Sequence, residues 1–363
     1  MNKDNYFAIG VMSGTSFDGI DISLICSDGK KYFNPIKSSF YKYDSKIRIK
    51  LFEISKNFNK NLHKLAKLTE VRSEVTKLYV KALKSFISKN KLSNFELIGI
   101  HGQTIYHDPK KKISIQLCDG EYISNKLKKK VVFDFRQNDL KYGGEGAPLT
   151  PIFHKMLCDY LNLRGNTIFL NIGGVSNLTY VSSRGSIESY DTGPGMALLD
   201  EYVFLNKKMN YDKNGIFSLK GKVNYKVLNK VLKNRYFKKK CPKSIDRFYF
   251  SLEPFMHLQF YDACATISTF TAQSISNEVI KFKTNNIILM GGGSKNKFLI
   301  NYFRDNLESK INIIDEFHLN KDFIESQAFA YLGIRRLRNL PISFPSTTGS
   351  SRAVIGGKIV DYR

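Results

Sequence analysis

The sequence has no tryptophan, few cysteines and no long apolar segment. Its five cysteines are odd in number, widely spaced and without a CxxC pair, which argues against a disulfide framework and against a zinc ribbon. No apolar run approaches the roughly 18 to 20 residues that span a bilayer. The N-terminal run ends at Ser13 after only six residues, too few for a signal-peptide core. We therefore expect a cytoplasmic protein with no membrane partner.

Acidic residues are also scarce. The 363 residues include 32 Asp and Glu against 57 Lys and Arg, and the formal net charge of +25 predicts attraction for anions. The basic runs at 110–112, 128–130 and 238–240 lie far apart, each beside an apolar segment, which is typical of solvated turns. The abundance of Lys, Asn, Ile, Phe and Tyr favours compositional drift as the origin of the charge. No nucleic-acid partner is expected.

Two common phosphate-binding motifs are missing. No G-x-x-x-x-G-K-[ST] occurs, and no G-x-G-x-x-G opens a helix after a strand, so a nucleotide site would need a different cradle. The segment 9–21 offers one, because two apolar runs flank a turn rich in Gly, Ser, Thr and Asp, the pattern of a β-hairpin. Backbone amides in such a turn can bind phosphate oxygens, and its carboxylates, Asp18 and Asp21, can hold the accompanying Mg²⁺.

Strand and helix patterns divide the chain into two blocks and a tail. The N-terminal lobe, 1–165, has the hairpin followed by a helix over 62–90, strands over 95–100 and 131–135, and a helix over 150–163. The C-terminal lobe, 166–345, has a hairpin over 167–181, strands over 187–190 and 286–290, and helices over 196–204, 254–282, 295–307 and 322–339. Residues 346–363 form the tail. The similar openings of the two blocks suggest an internal duplication.

Three glycine-rich turns each follow a predicted strand, at 13–19, 173–177 and 291–296. Any one of them is explained by the need of a turn for glycine. Together they favour a nucleotide site between two lobes. Two hairpins would hold the phosphates, and the third turn, at a helix N-terminus, would meet the adenosine end or the α-phosphate.

Asp191 ends a predicted strand and precedes Thr-Gly-Pro-Gly. A carboxylate placed there can act as a general base on a hydroxyl or on water. The alternative is an Asx turn or the N-cap of the following helix. The pattern leaves both interpretations open.

Polar side chains also follow the strands that end near 100 and 135. Gln103 and Thr104 suit sugar hydroxyls or an amide, and the planar fork of Arg136 suits a carboxylate or phosphate. The alternative is loop capping, with a surface ion pair between Arg136 and Asp139.

A metal site is a weaker interpretation of this region. His101, His107 and Asp108 lack the tight spacing of metal ligands, so we interpret the two histidines as hydrogen-bonded loop residues.

These motifs together resemble those of the anhydro-N-acetylmuramic acid kinases, a family in the superfamily of sugar kinases, actin and Hsp70. The matching segments follow the family's order along nearly the whole chain. They are 10–21, 101–107, 134–139, 143–149, 171–179, 191–195, 291–296, 325–330 and 348–349.

The resemblance implies an α/β fold of two actin-like (ribonuclease H-like) lobes with a central ATP cleft. It implies a carbohydrate kinase that uses ATP and Mg²⁺ to phosphorylate the 6-oxygen of 1,6-anhydro-N-acetylmuramic acid while water opens the anhydro bridge. The products would be ADP and N-acetylmuramic acid 6-phosphate, an intermediate of peptidoglycan recycling.

The resemblance also implies roles for individual residues. Asp191 would be the base that activates water, and Asp18 would bind Mg²⁺. The sugar would contact Gln103, Thr104, Arg136 and Glu325. The nucleotide would contact Gly14, Thr15, Ser16, Phe17, Asp18, Gly19, Ile20, Asp21, Gly173, Gly174, Gly292 and Gly293.

Two positions depart from the family pattern. Met196 stands where the family usually has Asn, and Ile245-Asp246 stands where it usually has Thr-Gly. Met196 keeps open the alternative of a kinase for a related amino sugar. An actin-like or Hsp70-like ATPase that serves as an interaction module is a second alternative, against which the sugar-side residues speak. Family members are often dimers, so a homodimer stays open as well.

Overall fold

The computed structural model describes residues 5–58 and 65–363, which form two compact units. The first comprises the described residues of Met1–Tyr160 together with Phe323–Arg363, and the second comprises Leu161–Asp322. Within these described ranges no helix has both the length and the hydropathy that crossing a membrane requires.

The strands and helices are numbered along the chain. The strands are β1 Tyr6–Ser13, β2 Gly19–Ser27, β3 Phe33–Lys42, β4 Leu97–Asp108, β5 Ile113–Leu117, β6 Lys130–Phe133, β7 Thr167–Ile172, β8 Val175–Val181, β9 Ile187–Pro194, β10 Asn286–Met290, β11 Lys310–Ile313 and β12 Lys358–Val360. The α-helices are α1 Ser45–Asn57, α2 Leu65–Lys89, α3 Gly120–Leu127, α4 Gln137–Lys141, α5 Pro151–Tyr160, α6 Ala197–Lys207, α7 Tyr225–Leu232, α8 Phe260–Val279, α9 Lys297–Asn306, α10 Ile324–Leu337 and α11 Pro345–Thr348.

Each unit is built on one sheet, and the two sheets share a strand order. The first runs β3-β2-β1-β4-β6-β12, with β5 on the far part of β4, and the second runs β9-β8-β7-β10-β11. In both, three antiparallel strands are followed by two parallel ones. This is the ribonuclease H-like order, so the predicted α/β class is confirmed, and the repeated order agrees with the predicted duplication.

The two predicted hairpins form where the apolar runs placed them. In the first, Met12 pairs with Asp21, and the turn residues 14–18 lie between the strands. Inward-facing side chains such as Ile9, Val11 and Ile22 are fully buried in a core that α2 covers. The predicted helix began at Leu62, and its first three residues lie outside the described residues.

Helix α10 packs on the first sheet, although the sequence analysis assigned it to the C-terminal lobe. Glycines permit this close approach: a Cβ at Gly10 of β1 would overlap the Ser326 carbonyl, and one at Gly99 of β4 would overlap the Phe329 carbonyl. The Ser326 hydroxyl also lies 2.6 Å from the Ser23 hydroxyl of β2. The assignment of this helix was therefore wrong, because contacts between distant segments decide it.

The predicted C-terminal tail is also part of the first unit. Strand β12 pairs antiparallel with β6 and so extends the first sheet. The sequence analysis missed β12, and it also missed β3, β5 and α1. Strand β3 alternates poorly because most of its side chains are at least partly exposed.

The buried histidine of α5 makes the stability of the first unit depend on pH. Burial lowers the pKa of His154 from its ordinary 6.5 to about 3. Below pH 6.5 the folded protein therefore binds fewer protons at His154 than the unfolded chain does. The contribution of His154 to the free energy of unfolding is complete above pH 6.5 and is lost as the pH falls.

We expect the free energy of unfolding to fall by about 2 kcal/mol at pH 5 through His154 alone. In His154→Gln the decline between pH 7 and pH 5, followed by urea unfolding, should be shallower by that amount. His257→Gln is the control, because His257 is exposed. An unchanged decline in His154→Gln would contradict the assignment.

Candidate active site

The turn of the first hairpin exposes polar side chains and buries an aromatic one. Thr15, Ser16 and Asp18 are exposed, and the Ser16 hydroxyl donates to Asp18 Oδ1 at 2.8 Å. Phe17 is 3% exposed and adopts a positive φ of 56°. The core therefore holds the ring of Phe17, and this fixes the turn while its polar side chains remain accessible.

The base of this turn is held by hydrogen bonds from three sides. The Tyr79 hydroxyl donates to the buried Ser13 hydroxyl at 3.1 Å. Gln103 Nε2 donates to the Gly14 carbonyl at 2.9 Å, and Arg48 Nε donates to the Phe17 carbonyl at 3.1 Å. The turn is therefore rigidly attached to the strands and to α1.

Glycines in the three predicted turns have open space where a side chain would stand. A Cβ at Gly14 or Gly173 would meet only one atom, at 3.5 Å, and one at Gly292 would meet nothing within 4 Å. None of the three has a positive φ. Neither packing nor backbone conformation requires glycine there, which is compatible with the prediction that a ligand approaches the backbone at these positions.

Other predicted nucleotide residues are closed to a ligand on their side-chain face. Ile20 is 2% exposed in the core, and a Cβ at Gly19 would overlap the Tyr41 carbonyl of β3. A Cβ at Gly293 would overlap the Ile172 side chain. Like Phe17, these residues can offer only backbone groups, whereas the half-buried Asp21 keeps a partly accessible carboxylate on β2.

In the second hairpin, Gly173 and Gly174 turn their carbonyls toward the start of α6. Gly173 O accepts from Met196 N at 2.7 Å, and Gly174 O accepts from the amides of Gly195 and Ala197 at 3.1 and 3.2 Å. These bonds take up amides that would be unpaired at a helix N-terminus. The third turn continues from Gly292 as a 3₁₀ helix, and Asn296 caps α9.

Gln103, which is predicted to bind the sugar, hydrogen-bonds to the turn that is predicted to bind phosphate. The sequence analysis placed 101–104 after a strand, but β4 continues to Asp108, and Gln103 pairs with Ser13 on β1. Its Nε2 reaches Gly14, whereas its Oε1 is buried without a hydrogen-bond partner among the described residues. An unpaired buried acceptor costs about 1 to 3 kcal/mol, and a ligand donor would recover it. Thr104, one residue on, accepts from Gln116.

Arg136 is held by His101 and by the loop after α4. Its Nε donates to His101 Nε2 at 2.9 Å, and its Nη1 donates to the Gly146 carbonyl at 2.7 Å. The other ring nitrogen of His101 lies 2.8 Å from the Gly102 carbonyl, so the ring is neutral with its proton on Nδ1. Burial, and then Arg136, hold the pKa of His101 well below its usual range. These bonds confirm the interpretation of His101 as a hydrogen-bonded residue.

Asp139 has a structural role instead of pairing at the surface with Arg136. It is 1% exposed, and its carboxylate accepts from the Gly146 amide and from the hydroxyls of Ser343 and Thr348. Asp139 thus connects the loop that contacts Arg136 with the C-terminal segment that contains Ser343 and Thr348.

Asp191 lies within β9 and not at its end. It pairs with Asn177 of β8, and Thr192 is the extra residue of a β-bulge. Its Oδ2 accepts from the Ile245 amide at 2.9 Å, its own amide donates to the Lys243 carbonyl at 2.9 Å, and its carbonyl accepts from the Tyr236 hydroxyl at 2.6 Å. Bulges commonly direct a side chain next to an active site.

The helix-cap interpretation of Asp191 is wrong, because α6 begins at Ala197 with Met196 as its N-cap. Met196 makes no side-chain cap bond, and its side chain packs against two hydrophobic cores. Packing therefore accounts for the apolar residue at this position.

Comparison with known proteins gives a consistent result. The family model for anhydro-N-acetylmuramic acid kinase matches residues 6–362. A protein of that name from Pelagibacter ubique is 39% identical and one from Zymomonas mobilis is 36% identical, covering 98% and 97% of this chain and 98% and 99% of theirs. The chain belongs to the anhydro-N-acetylmuramic acid kinase family. It is thus a carbohydrate kinase.

Solved structures are more distant. The ADPNP-bound activator of 2-hydroxyisocaproyl-CoA dehydratase from Clostridium difficile is 10% identical, with a TM-score of 0.44 over 92% of this chain and 96% of its own. The fold is therefore assigned from the strand order of the two sheets.

The first unit contains the four residues predicted to bind the sugar, and one of them contacts the turn predicted to bind phosphate. Gln103 contacts the turn directly, and Arg136 is tied to β4 through His101. Glu325 lies in the first turn of α10, which packs on β1. Within residues 5–58 and 65–363, no group of three His, Cys, Asp or Glu side chains is arranged to hold a metal ion.

Sequence reasoning missed the residues that hold Asp191. Tyr236 and Lys243 carried no local signal of this role, since their contacts join segments far apart in the chain. The nearest hint was the departure from the family pattern at Ile245-Asp246, since the Ile245 amide donates to Asp191 Oδ2.

Asp139→Ala should lower the free energy of unfolding by about 3 kcal/mol, because the Gly146 amide and the hydroxyls of Ser343 and Thr348 would lose their acceptor. Ser343→Ala removes only one of the donors and should cost about 1 kcal/mol. Urea unfolding at pH 7 measures both. Equal small effects would show that Asp139 does not anchor this loop.

Proposed function

We propose that the chain transfers the γ-phosphoryl group of ATP to the 6-oxygen of 1,6-anhydro-N-acetylmuramic acid while water opens the anhydro bridge. The products are ADP and N-acetylmuramic acid 6-phosphate, and the reaction serves peptidoglycan recycling. Family membership supports the substrate, since the relatives carry that name. The observation that carries the mechanism is Asp191, a carboxylate 8% exposed and oriented by a backbone amide.

The glycine turns support a nucleotide at the phosphate end. Gly14, Gly173 and Gly292 leave their backbone open, and phosphoryl transfer depends on positioning and charge neutralisation by such groups. The rest of the predicted set, Thr15 to Asp21 with Gly174 and Gly293, flanks these glycines. Asp18 is exposed and fits Mg²⁺, which proteins usually hold through one or two carboxylates together with substrate phosphates. Bound Mg²⁺ would neutralise charge on the phosphates.

Asp191 acts as the general base. Its carboxylate takes a proton from water as the water oxygen bonds to C1 of the sugar, and the C1–O6 bond breaks. The released O6 then bonds to the γ-phosphorus, and the bond from this phosphorus to the β,γ-bridging oxygen breaks, with ADP as the leaving group. Gln103, Thr104, Arg136 and Glu325 bind the sugar, and the guanidinium of Arg136 suits its lactyl carboxylate.

Asp191→Asn should fold and bind ATP but lose kcat by roughly 100-fold or more, because general base catalysis contributes that much. An amide oxygen can still accept from Ile245, so the local structure should survive. Asp305→Asn, an exposed position on α9, is the control. ADP release with saturating substrates measures turnover, and nearly normal turnover in Asp191→Asn would exclude the base role.

The wild-type protein should release ADP only when the anhydro sugar is present. The mass of the product should exceed that of the anhydro sugar by both a phosphoryl group and one water. A related amino sugar that supports equal turnover would favour the alternative kinase. ADP release without any sugar would favour an ATPase.

A further inference from the structure

Lys243 is a buried cation in the segment that holds Asp191. Its side chain is 2% exposed, and its ammonium lies 2.9 Å from Glu278 Oε1 on α8, whose side chain is 3% exposed. The other oxygen of Glu278 accepts from Lys281 at 2.6 Å, and the Lys281 side chain is 51% exposed. One ion pair that is nearly free of water therefore fastens the segment around Lys243 to α8.

Both ends of Lys243 contact groups that hold Asp191. Its carbonyl accepts the Asp191 amide, and its ammonium lies 4.8 Å from the centre of the Tyr236 ring. The Tyr236 hydroxyl donates to the Asp191 carbonyl. Two residues beyond Lys243, the Ile245 amide donates to Asp191 Oδ2. Of these three hydrogen bonds to Asp191, one is made by Lys243 itself and one by Tyr236, whose ring the Lys243 ammonium contacts. The third is made by Ile245, two residues further along the chain.

Stability alone is a weak reason for this ion pair. Removing two charges from water costs several kcal/mol per ion, and well-packed apolar replacements of buried pairs are often neutral or stabilising. A lysine is nevertheless present here. Unlike an apolar contact, an ion pair fixes the direction in which the side chain points. The ammonium points at one carboxylate oxygen, and this fixes the backbone of the segment along which Lys243 O and Ile245 N meet Asp191.

We propose that Lys243 is a positioning residue for the Asp191 carboxylate, an inference that rests on the proposed role of Asp191 as the base. The lysine side chain is too buried to touch the reactants, so it acts through Tyr236 and through the backbone from 243 to 245. A catalytic group misplaced by about 1 Å can cost a factor on the order of 100 in rate. Loss of the lysine should thus lower kcat and leave substrate binding largely unchanged.

The test compares two lysines that bind the same glutamate. Lys243→Met should lower kcat by about 10- to 100-fold while KM for the sugar and for ATP changes by less than about threefold. Lys281→Met should keep kcat near the wild-type value, because a half-exposed pair contributes little. Wild-type kcat in Lys243→Met, or a loss confined to KM, would overturn the proposal.

A second variant keeps the test valid if Lys243→Met folds poorly. Lys243→Met combined with Glu278→Met removes both buried charges and should fold about as stably as the wild type. It should show the same loss of kcat as Lys243→Met alone. Restored kcat in the double variant would mean that an unpaired Glu278, and not lost positioning, caused the defect, and this too would overturn the proposal.

Asp191→Asn separates this inference from the proposed function. If Asp191→Asn is inactive, adding Lys243→Met should lower its residual turnover no further, because the lysine acts through the carboxylate. A further loss of about tenfold or more would overturn the positioning role and leave the base role intact. Nearly normal turnover in Asp191→Asn would overturn the base role and this inference together.

Discussion

The orientation of the Asp191 carboxylate is the constraint on which the proposed chemistry depends. The residue lies beside a bulge in β9, where regular pairing with β8 is interrupted. Backbone groups of 243–245 and the Tyr236 hydroxyl hold Asp191 through three hydrogen bonds. The Ile245 amide thereby fixes the direction of the Asp191 carboxylate, as the proposed role of a general base requires.

The glycines discussed above fall into two groups. Gly10 and Gly99 are required by packing, because α10 lies so close to the first sheet that a Cβ would overlap its backbone. Gly14, Gly173 and Gly292 meet no such neighbour and have no positive φ, so the fold does not require glycine there, whereas the proposed nucleotide would. Glycine thus permits close packing at two positions, and at the other three we propose that it admits a phosphate to the backbone.

Much of the fold could be predicted from local sequence patterns, and the failures share a cause. Both hairpins formed where apolar runs flank a glycine turn, because strand pairing across a short turn is a local property. The place of α10 and β12 in the first unit depends on contacts with segments hundreds of residues away, as in the pair Ser23 and Ser326. No pattern within a short window reveals such contacts.

The candidate site shows the same difference between what local sequence reveals and what only long-range contacts reveal. Asp191, Gln103 and Arg136 could be named from the motifs that surround them and from the family resemblance. The ion pair between Lys243 and Glu278 could not be predicted, because each residue, taken alone in the sequence, has the pattern of an ordinary surface charge. Charged residues are almost never fully buried unless they are paired, and only the folded chain brings this pair together.

If Asp191 directs water to C1 of the sugar in the same reaction that phosphorylates O6, the oxygen of that water stays on C1 of the product. Turnover in ¹⁸O-labelled water tests it most directly, with the position of the label in the product read by mass spectrometry and by the isotope shift of the C1 resonance. We expect one ¹⁸O atom at C1 and none in the phosphoryl group. Label in the phosphoryl group, or a phosphorylated sugar without label, would contradict it.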